Sequence, residues 1–125
     1  MAAQMNPINW FEIPVNDFER AKDFYVWVFG YELTVNDLGE LKMGWFPMHQ
    51  NAPGATGSLV KSKEYTPSHA GSVVYFSVED IEGTLKKIVE RGGKMLNPKK
   101  SIGEYGFVAH FEDCEGNRIA LHSRQ

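Results

Sequence analysis

The pattern of hydrophobic and polar positions repeats after 63 residues along the chain. With that shift, VNDFE at residues 15–19 lies over VEDIE at residues 78–82, and identical pairs follow without a gap at Val26, Gly30 and Leu33. The paired positions also have the same structural roles in both copies. The repeat therefore indicates two modules with the same fold.

Each copy begins with a pattern typical of a strand followed by a helix. Residues 8–14 and 71–78 are rich in aromatic and β-branched side chains, which favour strands. Asp17 and Asp80 then stand where a helix N-cap is expected. Apolar residues follow at helical spacing. Glycines are expected to end both helices: Gly30 in the first copy, and Gly92 with Gly93 in the second. Three further extended stretches complete each copy: residues 31–35, 41–46 and 57–61 in the first, and residues 94–96, 105–112 and 118–122 in the second.

These elements predict a single α+β domain over residues 1–125, built from paired βαβββ modules. The first module takes about residues 7–61 and the second about residues 71–123, with a polar linker at residues 62–70. Since each helix covers only one face of its sheet, we expect the two curved mixed sheets to form a concave cavity. The irregular loop at residues 47–56, which contains two prolines, is a natural rim for such a cavity.

Alternation along the strands predicts which side chains face this cavity. Apolar residues such as Phe11 and Ile13 would pack on the helices, and their neighbours would turn inward. Trp10 and Tyr75, together with Trp45, would form an aromatic wall for a flat ligand, and Arg118 would offer its planar fork to a carboxylate. The residues expected to contact a ligand are Trp10, Glu12, Ser58, Val73, Tyr75, Arg118, Ala120 and His122.

Composition and charge narrow the class of partner. The 125 residues carry a net charge of −3 with both signs dispersed, so the chain lacks the basic stripe that a nucleic-acid surface needs. No apolar run approaches the roughly 20 residues that cross a bilayer, so we expect no membrane partner. The single cysteine, Cys114, excludes an intramolecular disulfide. We expect a cytoplasmic protein whose partner is a small molecule.

Three segments resemble the glyoxalase/bleomycin resistance/dioxygenase superfamily, also called the vicinal oxygen chelate superfamily. They are INWFEIPVNDFERAKDFYVWVFGYEL near the start, VYFSVEDIEGTLKKIVERGGK in the middle and FEDCEGNRIALHS near the end. The resemblance is strongest to lactoylglutathione-lyase-like members of the family. It implies the paired βαβββ fold, a homodimer, and a divalent metal held by inward side chains from four strands.

The residues at the four implied ligand positions lack the chemistry of a metal site. In this chain they are Trp10, Ser58, Val73 and Ala120. Indole, valine and alanine side chains offer no donor to a cation, and a serine hydroxyl is a poor sole ligand. We therefore expect no cofactor at the family's usual positions.

Two functional hypotheses follow. In the first, the protein binds a small hydrophobic or aromatic molecule in the cavity without catalysis. In the alternative, it is a lyase, isomerase or dioxygenase-type enzyme that uses Glu12, His110 and His122. Those three residues would form either an unconventional divalent metal site or an acid–base pair, unless they only satisfy one another's buried polarity. Whether the two modules pair within a chain or across a dimer stays open at this level.

Overall fold

The computed structural model of the protein describes residues 4–125. Its elements follow the chain in two similar series of one strand, one helix and three strands. The first series is β1 (Trp10–Pro14), α1 (Phe18–Phe29), β2 (Thr34–Asp37), β3 (Lys42–Trp45) and β4 (Thr56–Lys61). The second is β5 (Val74–Ser77), α2 (Ile81–Glu90), β6 (Lys94–Ser101), β7 (Phe107–Glu112) and β8 (Arg118–Ser123), with a 3-10 turn at Gly103–Tyr105 before β7.

Each series forms its own four-stranded mixed sheet. The strand order is β1-β4-β3-β2 in the first sheet and β5-β8-β7-β6 in the second. The pairs β1/β4 and β5/β8 are parallel, and all other neighbours are antiparallel. This arrangement confirms the predicted α+β class and the paired βαβββ modules. It also leaves β1 and β5 at the edges of their sheets.

Each strand directs towards the helices the side chains that alternation predicts. Phe11 and Ile13 of β1, and Ile119 and Leu121 of β8, belong to the hydrophobic core beneath the helices. The alternate side chains lie on the other side of each sheet, where Tyr75 is 52% exposed. We call this side, which is turned away from the helix, the outer face of the sheet.

Both helices begin at the predicted aspartates. Asp17 Oδ1 accepts from the Arg20 amide at 3.1 Å, and Asp80 Oδ1 accepts from the Gly83 amide at 3.0 Å, which satisfies donors that the first helical turn leaves free. Gly30 ends α1 in the left-handed conformation with a φ of 74°, as the sequence predicts. No helix within residues 4–125 has the length and apolar character needed to cross a lipid bilayer.

The helix-side faces of the two modules share one hydrophobic core. Phe76 of β5 stacks on Phe29 of α1, with ring centroids 4.7 Å apart, and lies 5.8 Å from the ring of Tyr25. Phe46, which follows β3, lies 5.5 Å from Phe76 by the same measure. Because aromatic rings at such separations pack favourably, the second module's edge strand is anchored on the first module's helix. The two modules of one chain therefore pack against each other.

A buried polar junction reinforces this contact between modules. The Tyr25 hydroxyl of α1 donates to Asp113 Oδ2 at 2.7 Å, and Asn117 Nδ2 donates to the Pro14 carbonyl at 2.7 Å. Asp113 is only 1% exposed, and burial raises the pKa of its carboxyl, while its bonds with Asn117 and Tyr25 act in the opposite direction. The turn between β7 and β8 is thus tied to the start of the first module.

Strand β6 is longer than the sequence suggests. It continues to Ser101, whereas the extended pattern ends at Leu96, and it contains Pro98. Proline is tolerated here because β6 is the edge strand of its sheet. The ladder with β7 is irregular between Asn97 and Lys100.

Two other boundaries differ for packing reasons. β2 begins at Thr34 because the Tyr31 ring, predicted to open this strand, stacks on Phe29 with centroids 5.5 Å apart. β7 begins at Phe107 because the preceding residues form the 3-10 turn Gly103–Tyr105.

The predicted linker is held against both modules. The Tyr65 hydroxyl donates to Glu12 Oε1 at 2.9 Å, and the Arg118 amide donates to the Ser68 carbonyl at 3.3 Å. The segment at residues 62–70 therefore crosses the surface in a defined position.

Candidate functional site

A cavity of about 830 Å³ lies where the two modules meet. The lining comes from the chain before β1 together with Phe11 of β1, from the loop between β3 and β4, and from the edge strand β5 with Tyr31 beside it. The lining residues are Met5, Asn6, Pro7, Ile8, Asn9, Phe11, Tyr31, Phe46, Pro47, Met48, His49, Gln50, Ala52, Pro53, Gly54, Ala55, Thr56, Tyr75, Phe76 and Ser77.

Aromatic rings of the shared core form the floor of this cavity. The ring centroids of Phe11 and Phe46 are 5.7 Å apart, and those of Phe11 and Phe76 are 5.8 Å apart. Tyr31 adds a fourth ring 5.8 Å from Phe46, and burial raises the pKa of its hydroxyl, which therefore stays protonated as a hydrogen-bond donor. The floor thus offers flat apolar surface with one polar tip.

The loop between β3 and β4 forms the rim, as its irregular sequence predicts. Its two ends are tied together, because Thr56 Oγ1 donates to the Pro47 carbonyl at 2.7 Å. Met48 on this rim is 65% exposed, and Met5 and Ile8 on the opposite side are 85% and 65% exposed. Flexible apolar side chains at the mouth suit a hydrophobic ligand of variable shape.

The cavity carries little charge of its own. Among the lining residues described by the structure, none is Asp, Glu, Lys or Arg. Its polar groups are amides, hydroxyls and the His49 imidazole, which can orient a neutral ligand but provide no counterion for an ionised one.

The residues that the sequence predicts to contact a ligand do not line one common cavity. Only Tyr75 of that set lines the cavity. The others lie on the outer faces of the two sheets or, for Val73, just before β5. The difference arises because the modules pack through their helix sides, so the large opening forms between β1, β5 and the rim loop instead of over the middle of the sheets. The sequence signal that did locate the cavity was the irregular loop at residues 47–56.

Glu12 lies on the outer face of the first sheet among aromatic partners. Its Oε1 accepts from the Tyr65 hydroxyl at 2.9 Å, and its Oε2 accepts from Trp10 Nε1 at 3.4 Å. Trp10 meets Trp45 edge to face, with centroids 5.8 Å apart. These contacts give the Glu12 carboxylate two donors, one from β1 itself and one from the linker.

His110 and His122 lie on the outer face of the second sheet and have different partners. His110 Nδ1 accepts from Arg118 Nε at 3.0 Å, and its Nε2 lies 3.3 Å from the Tyr75 hydroxyl. Burial and the neighbouring Arg118 lower the pKa of His110. His122 Nε2 lies 2.7 Å from the Tyr105 carbonyl.

The structure does not assemble the hypothetical Glu12, His110 and His122 metal site. Across residues 4–125, no group of three or more His, Cys, Asp or Glu side chains is placed to hold a metal ion. The hydrogen bonds of Glu12 go to Tyr65 and Trp10, whereas the two imidazoles contact other groups of the second module. An acid–base pair formed by these residues stays a prediction.

The four positions that the family resemblance assigns to metal ligands do not fit a cation. The Ser58 hydroxyl is fully buried, and its one hydrogen is committed to backbone: it donates to the Leu59 carbonyl at 2.7 Å, with the Gly44 carbonyl also within reach at 3.2 Å. Ala120 is also fully buried and has no donor atom. Together with Trp10 and Val73, these side chains leave no ligand set there.

Comparisons with known proteins agree with this fold. The family model described as Glyoxalase/Bleomycin resistance protein/Dioxygenase superfamily matches residues 7–121. A glyoxylase-like domain-containing protein of Didymella fabae is 31% identical over 121 residues, covering 94% of this chain and 93% of that protein.

Solved structures show the same architecture at lower identity. TnmS3, an antibiotic binding protein from Streptomyces sp. CB03234, superposes with a TM-score of 0.68 at 24% identity, covering 99% of this chain and all of that one. Glyoxalase I from Zea mays gives a TM-score of 0.69 at 20% identity over 94% of this chain. The chain spans only 46% of the maize enzyme, so that likeness concerns the fold of one part.

Proposed function

Because this chain belongs to the glyoxalase/bleomycin resistance/dioxygenase superfamily, we propose that it binds a small, neutral, hydrophobic or aromatic molecule in the cavity between its modules. The observation that carries this proposal is the lining itself. Four aromatic rings form its floor, exposed methionines lie at its mouth, and the described lining has no Asp, Glu, Lys or Arg.

The size and chemistry of the cavity support this class of ligand. Small-molecule sites commonly enclose about 300–1,000 Å³ and combine apolar walls with a few polar groups, and this cavity is about 830 Å³. A charged ligand would lose hydration without gaining a counterion from the described lining, whereas a flat neutral ligand would only lose unfavourable contact with water.

The relatives support binding without requiring catalysis. TnmS3, which has the same fold over its whole length, is an antibiotic binding protein. At the positions that the resemblance assigns to metal ligands, three side chains have no donor for a cation, and the fourth is a serine whose hydroxyl bonds to backbone. A site that retains the family's concave fold but has two aliphatic side chains, an indole and one backbone-bonded serine at those positions is better suited to holding a ligand than to polarising one.

Fluorescence titration with the neutral probe N-phenyl-1-naphthylamine tests the proposal. We expect saturable binding by the wild-type protein, and weaker binding of the anionic analogue 1-anilinonaphthalene-8-sulfonate. In Ala55→Trp, an indole projects from the exposed rim into the cavity, and we expect the affinity for the neutral probe to fall by at least about tenfold, or about 1.4 kcal/mol. Ala70→Trp, at an exposed linker position outside the lining, is the matched control and should bind as the wild type does.

Two results would contradict the proposal. If Ala55→Trp and Ala70→Trp bind the neutral probe with equal affinity, the probe binds outside this cavity. If the wild-type protein binds the sulfonate more tightly than the neutral probe, the site contains a positive charge that the lining does not show.

We also propose that the protein forms a homodimer through the outer face of its first sheet. On this face Trp45 is 41% exposed and meets Trp10 edge to face, so a second copy could bury an aromatic surface there. Light scattering after size exclusion should give twice the mass of one chain, and Trp45→Glu should give the monomer mass. A wild-type monomer at high concentration would contradict this part.

A further inference from the structure

The outer face of the second sheet holds an arginine without a carboxylate partner. Arg118 donates from Nε to His110 Nδ1 at 3.0 Å and from Nη2 to Asn97 Oδ1 at 2.6 Å. Within residues 4–125, no Asp or Glu oxygen lies within 4.0 Å of its guanidinium. The side chain is half-buried, and its two hydrogen bonds define its position without an ion pair to a carboxylate.

The protonation of His110 agrees with this arrangement. An imidazole that accepts at Nδ1 must carry its hydrogen on Nε2, where the Tyr75 hydroxyl lies 3.3 Å away. Burial and Arg118 lower the pKa of His110, which favours the same neutral form. Both acceptors of Arg118 are therefore uncharged, and neither acts as a counterion.

The carboxylate opposite Arg118 in the sheet has other partners. Glu112 lies opposite Arg118 in the ladder between β7 and β8, but its Oε1 lies 2.8 Å from His69 Nε2 and its Oε2 lies 4.0 Å from Lys94 Nζ. Lys100, opposite Val108, adds another cation to the same face. An anion bound here would offset a positive charge that the fold has removed from part of its water.

A pocket of about 490 Å³ is lined by the two residues that accept hydrogen bonds from this arginine. It is lined mainly by Asn97, Pro98, Lys99, Lys100, Val108 and His110, and so includes both acceptors of Arg118. The irregularity of β6 opens it: β6 advances from Asn97 to Lys100 while β7 advances only from His110 to Val108. Such a bulge bends an edge strand away from its neighbour and often lies next to a binding site.

We propose that Arg118 and this pocket bind a small organic carboxylate, with its head group on the guanidinium and its hydrocarbon part against Pro98 and Val108. A guanidinium has five N–H donors in a planar fork, and two of them are used by His110 and Asn97. The remaining donors match the two oxygens of a carboxylate. This site is separate from the neutral cavity, although Tyr75 contributes to the surroundings of both.

Chemical-shift titration of ¹⁵N-labelled protein with hexanoate and with 1-hexanol tests the proposal, because it measures weak binding and locates it. We expect hexanoate to shift the amides of residues 97–100 and of His110, and 1-hexanol to bind at least about tenfold more weakly. Arg118→Met should weaken hexanoate by about 10- to 100-fold, the range expected for a lost hydrogen bond to a charged group. Arg118→Lys, which keeps the charge but loses the fork, should fall between the two.

Matched variants distinguish this site from binding elsewhere on the protein. Arg91→Met removes an arginine from a helix end, where it stacks on Trp27, and should leave hexanoate binding unchanged. Ala55→Trp obstructs the larger cavity and should also leave it unchanged, so this test and that of the proposed function fail independently. Three results would each overturn the proposal: 1-hexanol binding as tightly as hexanoate, Arg118→Met binding hexanoate as the wild type does, or no wild-type shift at about 20 mM hexanoate. That concentration is about twenty times the dissociation constant of about 1 mM that is typical of a weak ligand.

Discussion

The hydroxyl of Tyr25 provides a quantitative test of how the two modules are joined. It is fully buried and donates at 2.7 Å to a carboxylate that is 1% exposed, across 88 positions of sequence. Tyr25→Phe removes this oxygen and keeps the ring, which packs against Phe24 and Phe76. The variant therefore measures the bond itself and creates little additional space.

We expect Tyr25→Phe to lower the free energy of unfolding by about 1.5–3 kcal/mol, the contribution of a charge-assisted hydrogen bond. For a domain of this size, that corresponds to a melting temperature lower by roughly 6–12 °C. Urea unfolding followed by circular dichroism gives the first quantity, and thermal unfolding gives the second. Tyr31→Phe is the matched control, because within the described residues the Tyr31 hydroxyl has no hydrogen-bond partner, and its loss should stay within about 0.5 kcal/mol.

The pH dependence follows from the sign of the Asp113 shift. Its folded-state pKa is raised above the ordinary value of 3.8, so the folded state binds the proton more tightly than the unfolded state does. Wild-type stability contributed by this group is therefore largest at low pH and declines as pH rises through the window between the two values. Because the Tyr25 bond lowers that pKa, its loss should cost most above the window, where Asp113 is charged, and less below it.

Two results would refute this reasoning. If Tyr25→Phe unfolds no more easily than Tyr31→Phe, the junction does not contribute to stability as described. If the two variants differ in free energy of unfolding by the same amount at neutral pH and at a pH near 3.8, the ordinary pKa of the carboxyl, the bond does not involve an ionised Asp113.

Two further predictions concern reactivity and backbone packing. Burial and the neighbouring Asp113 and Glu115 carboxylates raise the pKa of Cys114 to about 12. Iodoacetamide should therefore alkylate this thiol at least about tenfold more slowly than free cysteine at pH 8, as measured by intact mass spectrometry. An alkylation rate equal to that of glutathione would contradict this prediction. Gly57→Ala should destabilise the protein by about 1–3 kcal/mol, because the new methyl group would overlap the Phe11 carbonyl and ring in the parallel pair of β1 and β4; unchanged urea unfolding would contradict it.

Local features of the structure could be predicted from the sequence because they depend on residues close together along the chain. Asp17 and Asp80 cap the helices that the repeat predicts, since a short oxygen-bearing side chain there satisfies amides two or three residues ahead. Alternation also places Phe11 and Tyr75 on opposite sides of their sheets, because the period of a strand is two. Such rules operate without knowledge of the rest of the fold.

Boundaries were less predictable where tertiary contacts override local preference. Tyr31 is a residue type that favours strands, yet its ring stacks on Phe29, and β2 begins only at Thr34. Pro98 would normally end a strand, yet β6 passes through it, because an edge strand can lose one donor without breaking a ladder on both sides.

The sequence by itself determined the two modules and the faces of their strands. Only the tertiary structure decided where the cavity lies, which predicted side chains meet and that Arg118 lacks a counterion within the described residues. The physical reason is that a strand's alternation specifies which side of its own sheet a residue occupies. Where two sheets open towards each other depends on long-range packing, and here the contact of Phe76 with Phe29 and Phe46 places that opening between β1, β5 and the rim loop.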